Sequence, residues 1–278
     1  MDFEKNILDR IVAFAKNTPW QDDTDIEIIV DASKKAFEEM SRGCKKQKVL
    51  CRLCGQSGSG KTSQLLASIL PNLYNGKVCV VAVRNFVKYY PKYDDLLNLL
   101  PKGELREHTN GFALKCLFLT LCRLLQSGYA ILYDVTLLEP TYEELLNEQI
   151  EKYGYSQIFN LLAVPLEQSV QFIKKRQTDL QNNEYGRRIS QDSVKYFYTN
   201  LETGLDYYIQ KKDCSPVVVW TAYSKKPVYL GQVKNCKTKL IKYRRKLKRI
   251  KIAEKSLLTY KQNFYKKYLI KKVGKNNI

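Results

Sequence analysis

The sequence predicts an α/β fold, a three-layer sandwich in which a mostly parallel sheet lies between helices. Five short runs are apolar without alternation, as strands buried on both faces usually are; these runs are residues 47–54, 77–83, 130–135, 156–164 and 216–221. Stretches with helical periodicity, such as 112–126, separate the runs and would cover the sheet. Two further helical stretches, 3–16 and 26–41, precede the first strand, so we expect N-terminal helices ahead of the core.

The length of 278 residues suits one α/β domain with additional segments better than two large domains. We divide the chain into N-terminal helices (1–45), a central domain (46–231) and a basic C-terminal tail (232–278). The net charge is +19, and the tail contains 17 Lys or Arg against one acid, which leaves +3 for residues 1–231.

The tail is predicted to be helical and amphipathic, because its apolar residues recur at spacings of three, four and seven. These residues are Leu240, Tyr243, Leu247, Ile250, Leu257, Phe264 and Tyr268. Such a helix could pack its apolar stripe on the body of the protein and leave a solvated basic face. Alternatively, the basic face could bind nucleic-acid phosphates, an anionic lipid surface or an acidic protein.

The composition argues against disulfides, histidine-based metal sites and membrane spans. Half of the eight cysteines lie in apolar stretches, where free cysteine behaves as a small hydrophobe. Cys51 and Cys54 form a CxxC pair, but no second pair completes a zinc site, and His108 is the only histidine. No run of about 18 apolar residues is present, and the first residues do not resemble a secretory signal. We therefore expect a cytoplasmic protein.

One motif identifies a binding chemistry. Residues 55–62 match GxxxxGK[ST] between a predicted strand and a predicted helix, which is the context of a phosphate-binding P-loop. Glycines let successive N–H groups point at phosphate oxygens, and the following helix adds its positive N-terminal end. Lys61 would reach the β- and γ-phosphates, and the Thr62 hydroxyl would ligate Mg²⁺. The predicted nucleotide-binding residues are Gly55, Gln56, Ser57, Gly58, Ser59, Gly60, Lys61 and Thr62. The fold class becomes that of a P-loop NTPase.

A second candidate is Asp134, which lies close to the end of the apolar run 130–135. An acid at this place in a P-loop protein holds Mg²⁺. Apolar strands that end in Asp are also common without any such role, since the carboxylate can cap the following segment. Both interpretations stay open from the sequence.

With these features in order, residues from about 30 to 230 resemble the zeta-toxin family of P-loop kinases. The best-known members of that family phosphorylate a UDP-linked amino sugar needed for bacterial wall synthesis. Besides the P-loop, the resemblance rests on residues 86–97, 122–136, 161–177 and 186–193, and on a closing strand pair within 217–230. It implies ATP rather than GTP as the phosphate donor, Mg²⁺ as the metal, a small acceptor such as a UDP-sugar, and an antitoxin partner that we assign to the N-terminal helices.

The resemblance also implies roles for individual residues. Lys61 and Thr62 would take the family's ATP and magnesium roles, and Asp134 with Thr136 stands where the family has Glu-Gly-Thr. Arg176 corresponds to the first of two phosphate-stabilising arginines. Arg188 corresponds to the second, with Arg187 as its rival. A guanidinium suits this task because its planar fork of donors fits the migrating phosphoryl group.

The acceptor side departs from the family. Ala82 and Arg84 occupy the positions of an acid-x-acid element whose first acid is the family's general base. Phe118 is aligned with another acid that contacts the sugar. Asp94, Asp95 or Asp134 could substitute as a base, and the sequence does not choose between them.

Three functions follow from these features. The first is an ATP-dependent kinase that phosphorylates a hydroxyl of a small, nucleotide-linked acceptor, as the toxin of a toxin–antitoxin pair. The second is a P-loop module that binds the nucleotide without transfer and whose basic tail binds nucleic acid or an acidic partner. The third is a nucleic-acid kinase whose tail grips the polymer.

Overall fold

A computed structural model describes residues 2–15, 24–100, 105–134, 136, 140–179, 191–222, 226–245 and 254–273. Within these residues six strands form one sheet in the order β2-β3-β1-β4-β5-β6. The strands are β1 (Val49–Cys54), β2 (Cys79–Ala82), β3 (Ile131–Asp134), β4 (Ser156–Ala163), β5 (Pro216–Thr221) and β6 (Tyr229–Gln232). The five predicted strands are confirmed, several with ends one or two residues shorter than expected.

The first five strands are parallel, and β6 pairs antiparallel with β5 at one edge. Every residue of β1 and β3 is buried, because helices cover both faces of the sheet. The predicted α/β three-layer architecture is therefore confirmed.

The α-helices of the described residues are α1 (Asp2–Ala15), α2 (Ile26–Ser41), α3 (Ala67–Ile69), α4 (Tyr93–Leu99), α5 (Leu105–Gln126), α6 (Pro140–Lys152), α7 (Leu166–Asp179), α8 (Gln191–Gln210), α9 (Lys237–Arg244) and α10 (Glu254–Val273). A π-helical segment, Lys61–Leu66, precedes α3 and continues into it. We call the two together the P-loop helix. Its π-helical first turns were not expected from the sequence, and such winding is frequent at functional sites.

The N-terminal helices share a core with α5. Ile7, Leu8 and Ile11 of α1 and Ile29 of α2 are buried in the same apolar cluster as Phe112 of α5 and the strand residues that face it. Arg10 of α1 also pairs with Glu148 of α6 at 2.7 Å. This core fills one face of the sheet beside β2, β3 and β1. None of the described helices is long and apolar enough to cross a membrane.

The opposite face of the sheet is covered by the P-loop helix and α10. Leu65 and Ile69 of the P-loop helix are fully buried there together with Trp220 of β5 and Tyr265 of α10. The Trp220 indole N–H donates to the Tyr265 hydroxyl at 2.6 Å. The basic helix α10 is therefore packed on the body of the protein.

The prediction of a single apolar stripe along the tail is wrong in one respect. The tail contains two helices on opposite faces of the sheet: Leu240 of α9 packs with residues of α8, whereas Phe264 and Tyr268 of α10 pack near Trp220. Leu247 and Ile250 lie outside the described residues. Helical periodicity alone cannot show that a segment crosses from one face to the other.

A buried ion pair ties β1 to the helices on the α8 side. Arg52 of β1 donates to Glu143 of α6 at 2.6 Å, and both side chains are only 1% exposed. Gln157 accepts a second bond from Arg52 at 2.8 Å, and the Tyr208 hydroxyl donates to Glu143 at 2.7 Å. Removing one partner of such a pair typically costs about 3 to 5 kcal/mol, because the other charge stays buried.

The burial of the cysteines predicts their reactivity. Burial raises the pKa of the Cys51 thiol to about 12 and raises that of Cys54 as well, so neither forms a thiolate near neutral pH. Cys214 is exposed. We expect a thiol reagent to label Cys214 rapidly in the native protein and Cys51 and Cys54 only after unfolding, as peptide mass spectrometry would show. Equal labelling rates for Cys214 and Cys51 would contradict this burial.

The contact of α10 with the P-loop helix predicts a dependence of stability on pH. Lys261 is fully buried, donates to Gln64 at 2.5 Å, and burial lowers its pKa to about 8. Between pH 8 and pH 10 the unfolded chain then binds more protons at this lysine than the folded chain, so Lys261 by itself contributes about 2 kcal/mol more to the free energy of unfolding at pH 10 than at pH 8. Buried thiols such as Cys51 contribute in the opposite direction, so the test compares variants: in urea unfolding, Lys261→Met should lose about this much stability relative to the wild type as the pH rises.

The matched control for this experiment is Lys266→Met, at an exposed position of the same helix. It should keep the pH dependence of the wild type. Parallel pH profiles for the wild type and Lys261→Met would show that burial does not lower the pKa of Lys261.

Candidate active site

The carboxyl ends of three neighbouring strands meet at one edge of the sheet. The P-loop follows β1, Asp134 ends β3, and Ala82, which ends β2, is the register partner of Asp134. Because the strands are parallel and β3 lies between β2 and β1, Asp134 lies between the P-loop and the turn after β2. Ligands of open α/β sheets bind at such an edge.

The P-loop has the backbone that its glycines predict. Gly58 has φ +75° and Gly60 has φ +92°, in the left-handed region that glycine adopts without strain. Gly58 also approaches α7 closely, since a Cβ at this position would lie 2.5 Å from the backbone oxygen of Ser169. Gly58 is therefore required both for the turn and for the packing of the loop on α7.

The side chain of Gln56 fixes the loop to the neighbouring strand and helix. Its amide nitrogen donates to the Val164 carbonyl at 2.6 Å and to the Ser169 hydroxyl at 2.8 Å. The Ser59 hydroxyl is buried and has no hydrogen-bond partner among the residues that the structure describes. A buried hydroxyl with no protein partner fits a loop whose remaining donors face an anion.

Lys61 lies across the loop rather than toward solvent. Its ammonium donates to the Gly55 carbonyl, to the Gln56 carbonyl at 3.3 Å and to the Thr136 hydroxyl at 3.4 Å. Thr136 in turn donates to the Gly55 carbonyl at 2.8 Å. The cation is thus held over the concave side of the loop, where the phosphates of a nucleotide would bind.

Asp134 makes two contacts through one carboxylate oxygen. The Thr62 hydroxyl donates to Oδ2 at 3.4 Å, and Arg84 Nη1 donates to the same atom at 2.8 Å. The Asp134 side chain is 2% exposed, whereas that of Arg84 is 40% exposed. Of the two interpretations of Asp134, the one in which it binds Mg²⁺ agrees with this geometry, because its carboxylate lies beside Thr62.

The side-chain oxygens at this edge of the sheet fit Mg²⁺ bound together with a nucleotide. Mg²⁺ prefers oxygen ligands and is usually held by one or two protein groups plus phosphates and water. Thr62 and Asp134 supply two such oxygens. In the described part of the chain, no group of three His, Cys, Asp or Glu side chains could hold a metal ion by itself.

The remaining predicted residues are only partly located. Arg176 lies on α7, the helix against which the P-loop packs, and Arg187 and Arg188 lie outside the described residues. Asp94 and Asp95 lie in the first turn of α4. Asp134 is a carboxylate that accepts a hydrogen bond from Thr62, next to Lys61.

Phe118, which the resemblance aligns with an acid, is a core residue. It is 1% exposed and packs edge-to-face on Tyr142 with ring centroids 5.2 Å apart. Ala82 is buried as well. Arg84, in contrast, is at the active-site edge and contacts Asp134.

Sequence reasoning missed two contributors to the site, Ser169 and Gln64. Ser169 anchors Gln56, and Gln64 accepts from Lys261 of α10 while its amide lies 3.4 Å from where a Cβ of Gly60 would be. The hydrogen bonds Gln56–Ser169 and Lys261–Gln64 each join residues more than 100 positions apart. No local pattern indicates such pairs.

A cavity of 580 Å³ lies at the other end of the sheet. Its lining includes Val49, Ser156 and Pro216, the first residues of β1, β4 and β5. Since β1 runs from this end to the P-loop, the cavity is about the length of a strand away from the site and does not belong to it.

The chain matches a known family. The model of a family described as Zeta toxin matches residues 34–234, most of the chain. No curated protein matches the chain. The family match includes the P-loop, Asp134 and Arg176 and ends before α9.

Solved structures share the fold. The toxin–antitoxin system PezAT of the human pathogen Streptococcus pneumoniae contains a chain that is 20% identical, with a TM-score of 0.67 over 88% of this chain and 99% of that one. A complex described as AvrRxo1-ORF1:-ORF2 with ATP gives 13% identity and a TM-score of 0.55 over 87% of this chain and 85% of that one. At these identities the likeness concerns the fold alone.

The close packing of Gly58 predicts the effect of a single methyl group. Gly58→Ala should weaken ATP binding at least tenfold and destabilise the protein by more than about 1 to 2 kcal/mol, because a left-handed alanine also clashes with Ser169. The control is Gly154→Ala, where φ is +67° and a Cβ would meet nothing within 4 Å. It should show the backbone cost without loss of ATP binding, measured by calorimetry and urea unfolding. Equal ATP affinity in both variants would contradict the packing of the loop.

Proposed function

This chain belongs to the zeta toxin family, and we propose that it is an ATP-dependent kinase that transfers the γ-phosphate of ATP to a hydroxyl of a small acceptor. The observation that supports this most is the convergence of Lys61, Thr62 and Asp134 beside a P-loop. These are the groups that P-loop phosphotransferases use to bind the triphosphate and its metal.

The donor half of the site follows from the loop geometry. The backbone N–H groups of the loop, among them those of Gly58 and Gly60, would bind phosphate oxygens, and Lys61 would exchange the Gly55 carbonyl for the β- and γ-phosphates. Thr62 and Asp134 would hold Mg²⁺ with the nucleotide. The metal would supply positive charge that offsets the charge of the phosphates during transfer.

The transfer exchanges one bond for another. The bond between the γ-phosphorus and the β–γ bridging oxygen breaks and ADP leaves, while the acceptor oxygen bonds to the phosphorus and its proton is released. A dedicated base contributes only about 10²- to 10⁴-fold in rate, so Ala82 in place of the family's acid slows the reaction without preventing it. Arg176 and Arg188 would stabilise the charge on the migrating group, as the family resemblance implies.

The acceptor and the biological setting belong to the same proposal. We assign a nucleotide-linked sugar as the acceptor, with ATP preferred over GTP, and a role as a cytoplasmic toxin. PezAT is a toxin–antitoxin system, and its likeness in fold supports an antitoxin partner here. The N-terminal helices are the surface we assign to that partner, since Ile26 and Ile28 are exposed on α2.

The second candidate function is nucleotide binding without transfer. The specific observation in its favour is Arg84, which occupies an acid's position and neutralises Asp134. In this version the basic tail would bring the protein to nucleic acid or to an acidic partner. ATP would then raise the melting temperature without being consumed.

Lysine 61 distinguishes the two functions. With a panel of sugar nucleotides as acceptors, the wild type should convert ATP to ADP, and Lys61→Ala should lower the rate by roughly 10²-fold or more, because the charge facing the γ-phosphate is lost. ADP release in a coupled assay measures this. The control is Lys34→Ala, which removes an exposed lysine of α2 that pairs with Asp31 and should leave the rate unchanged.

Thermal stabilisation by ATP without ADP release, for every acceptor in the panel, would favour the binding module. Equal rates in the wild type and Lys61→Ala would show that the P-loop does not carry the reaction.

A further inference from the structure

Arg84 combines a fixed backbone with an accessible side chain. It lies in a short turn, Val83–Asn85, directly after β2. The Asn85 amide donates to the Val80 carbonyl at 3.0 Å, and Phe86 is fully buried in the core, so both neighbours on the C-terminal side are anchored. The Arg84 side chain itself is 40% exposed. Its guanidinium can therefore change partners while the turn stays in place.

The guanidinium is close to the phosphate-binding groups. Arg84 Nη1 and the Thr62 hydroxyl both donate to Oδ2 of Asp134, at 2.8 and 3.4 Å, so these two donors are no more than about 6 Å apart. Thr62 directly follows Lys61, the residue held over the P-loop. A fixed positive charge thus lies beside the place where the terminal phosphate of a bound triphosphate would be.

We propose that Arg84 contacts the transferred phosphoryl group and stabilises its negative charge during transfer, with the contact to Asp134 as the resting position of its side chain. This inference rests on the proposed kinase function and adds a catalytic residue to it. Arg84 takes no proton in the reaction: it donates N–H groups to phosphoryl oxygens while the bond to ADP breaks and the bond to the acceptor forms.

Physical chemistry favours a charge-stabilising role for Arg84. Phosphoryl transfer passes through a loose transition state whose charge is spread over the phosphoryl oxygens, so it gains more from fixed positive charge than from a base. Guanidinium groups present a planar fork that matches these oxygens, and they stay protonated at any physiological pH. With Ala82 at the position of the family's base, Arg84 therefore adds charge stabilisation at an edge of the site that lacks that base.

The competing explanation is that Arg84 is only the counter-ion of a buried carboxylate. In that case a lysine would replace it fully, since a point charge suffices to neutralise Asp134. The two roles also differ in what they do to ligand binding. A counter-ion affects ground-state and transition-state complexes alike, whereas a phosphoryl-binding arginine affects mainly the transition state.

The test uses a transition-state mimic that needs no acceptor. The affinity of the full-length protein for ADP and Mg²⁺ is measured by calorimetry with and without aluminium fluoride, whose complex imitates the migrating phosphoryl group. In the wild type, aluminium fluoride should tighten ADP binding. In Arg84→Ala this gain should fall by about 10³-fold, the lower end of the range for a transition-state arginine, while binding of ADP with Mg²⁺ alone changes less than about threefold. Arg84→Lys should recover only part of the gain.

The matched control is Arg10→Ala, which removes an arginine that is 43% exposed and pairs with Glu148 at 2.7 Å, in a helix pair away from the P-loop. It should keep the full gain, and melting temperatures of all variants confirm that they fold. An undiminished gain in Arg84→Ala, or full recovery in Arg84→Lys, would overturn this inference and leave the kinase function intact. No gain from aluminium fluoride in the wild type would overturn both.

Kinetics give a second readout. With a competent acceptor, kcat should fall in Arg84→Ala by a factor similar to the loss of aluminium fluoride affinity, with the KM for ATP nearly unchanged. Arg84→Asp, which supplies an acid at the family's position, should be slower still. Faster turnover in Arg84→Asp would show that the site needs a base at this position and would overturn the proposal.

Discussion

Parallel pairing of β1 between β3 and β4 is the constraint on which the site depends. It brings the P-loop beside Asp134 on one side, and beside Val164 and Ser169 on the other. A slip of one residue in either pairing would turn each side chain of β1 to the opposite face of the sheet. Arg52 opposes such a slip, because its buried contact with Glu143 exists in one register only.

The two halves of the site are determined by different features of the chain. The half of the site around the P-loop is set by backbone geometry, since Gly58 and Gly60 adopt conformations that few other residues tolerate. The acceptor half is set by side chains at the ends of β2 and β3, which can change without disturbing the sheet. Arg84 illustrates this freedom: it stands where the family resemblance implies an acid, and its charge is balanced by Asp134 within the same strand pair.

Those parts of the fold and of the site that depend on one local pattern could be predicted from the sequence. Apolar runs gave five strands, and the residue spacing of the P-loop gave the position of Lys61 and Thr62. The sequence could not show that Gln56 anchors the loop on Ser169 or that Arg84 meets Asp134, because these partners lie 113 and 50 residues apart and meet only through the sheet order. The burial of Phe118 could not be predicted from its alignment with an acid, because it depends on how α5 packs within the fold.

The packing of α10 has a consequence for how this sequence can vary. The family match ends at residue 234, and α10 begins at Glu254, yet α10 covers the P-loop helix through Lys261, Tyr265 and Leu269. The positions that face the P-loop helix must keep their size and shape, whereas solvent-facing ones such as Lys266 and Lys267 can exchange freely. Substitutions in this lysine-rich segment should therefore accumulate in a helical rhythm, with the buried positions changing only together with their partners Gln64 and Trp220.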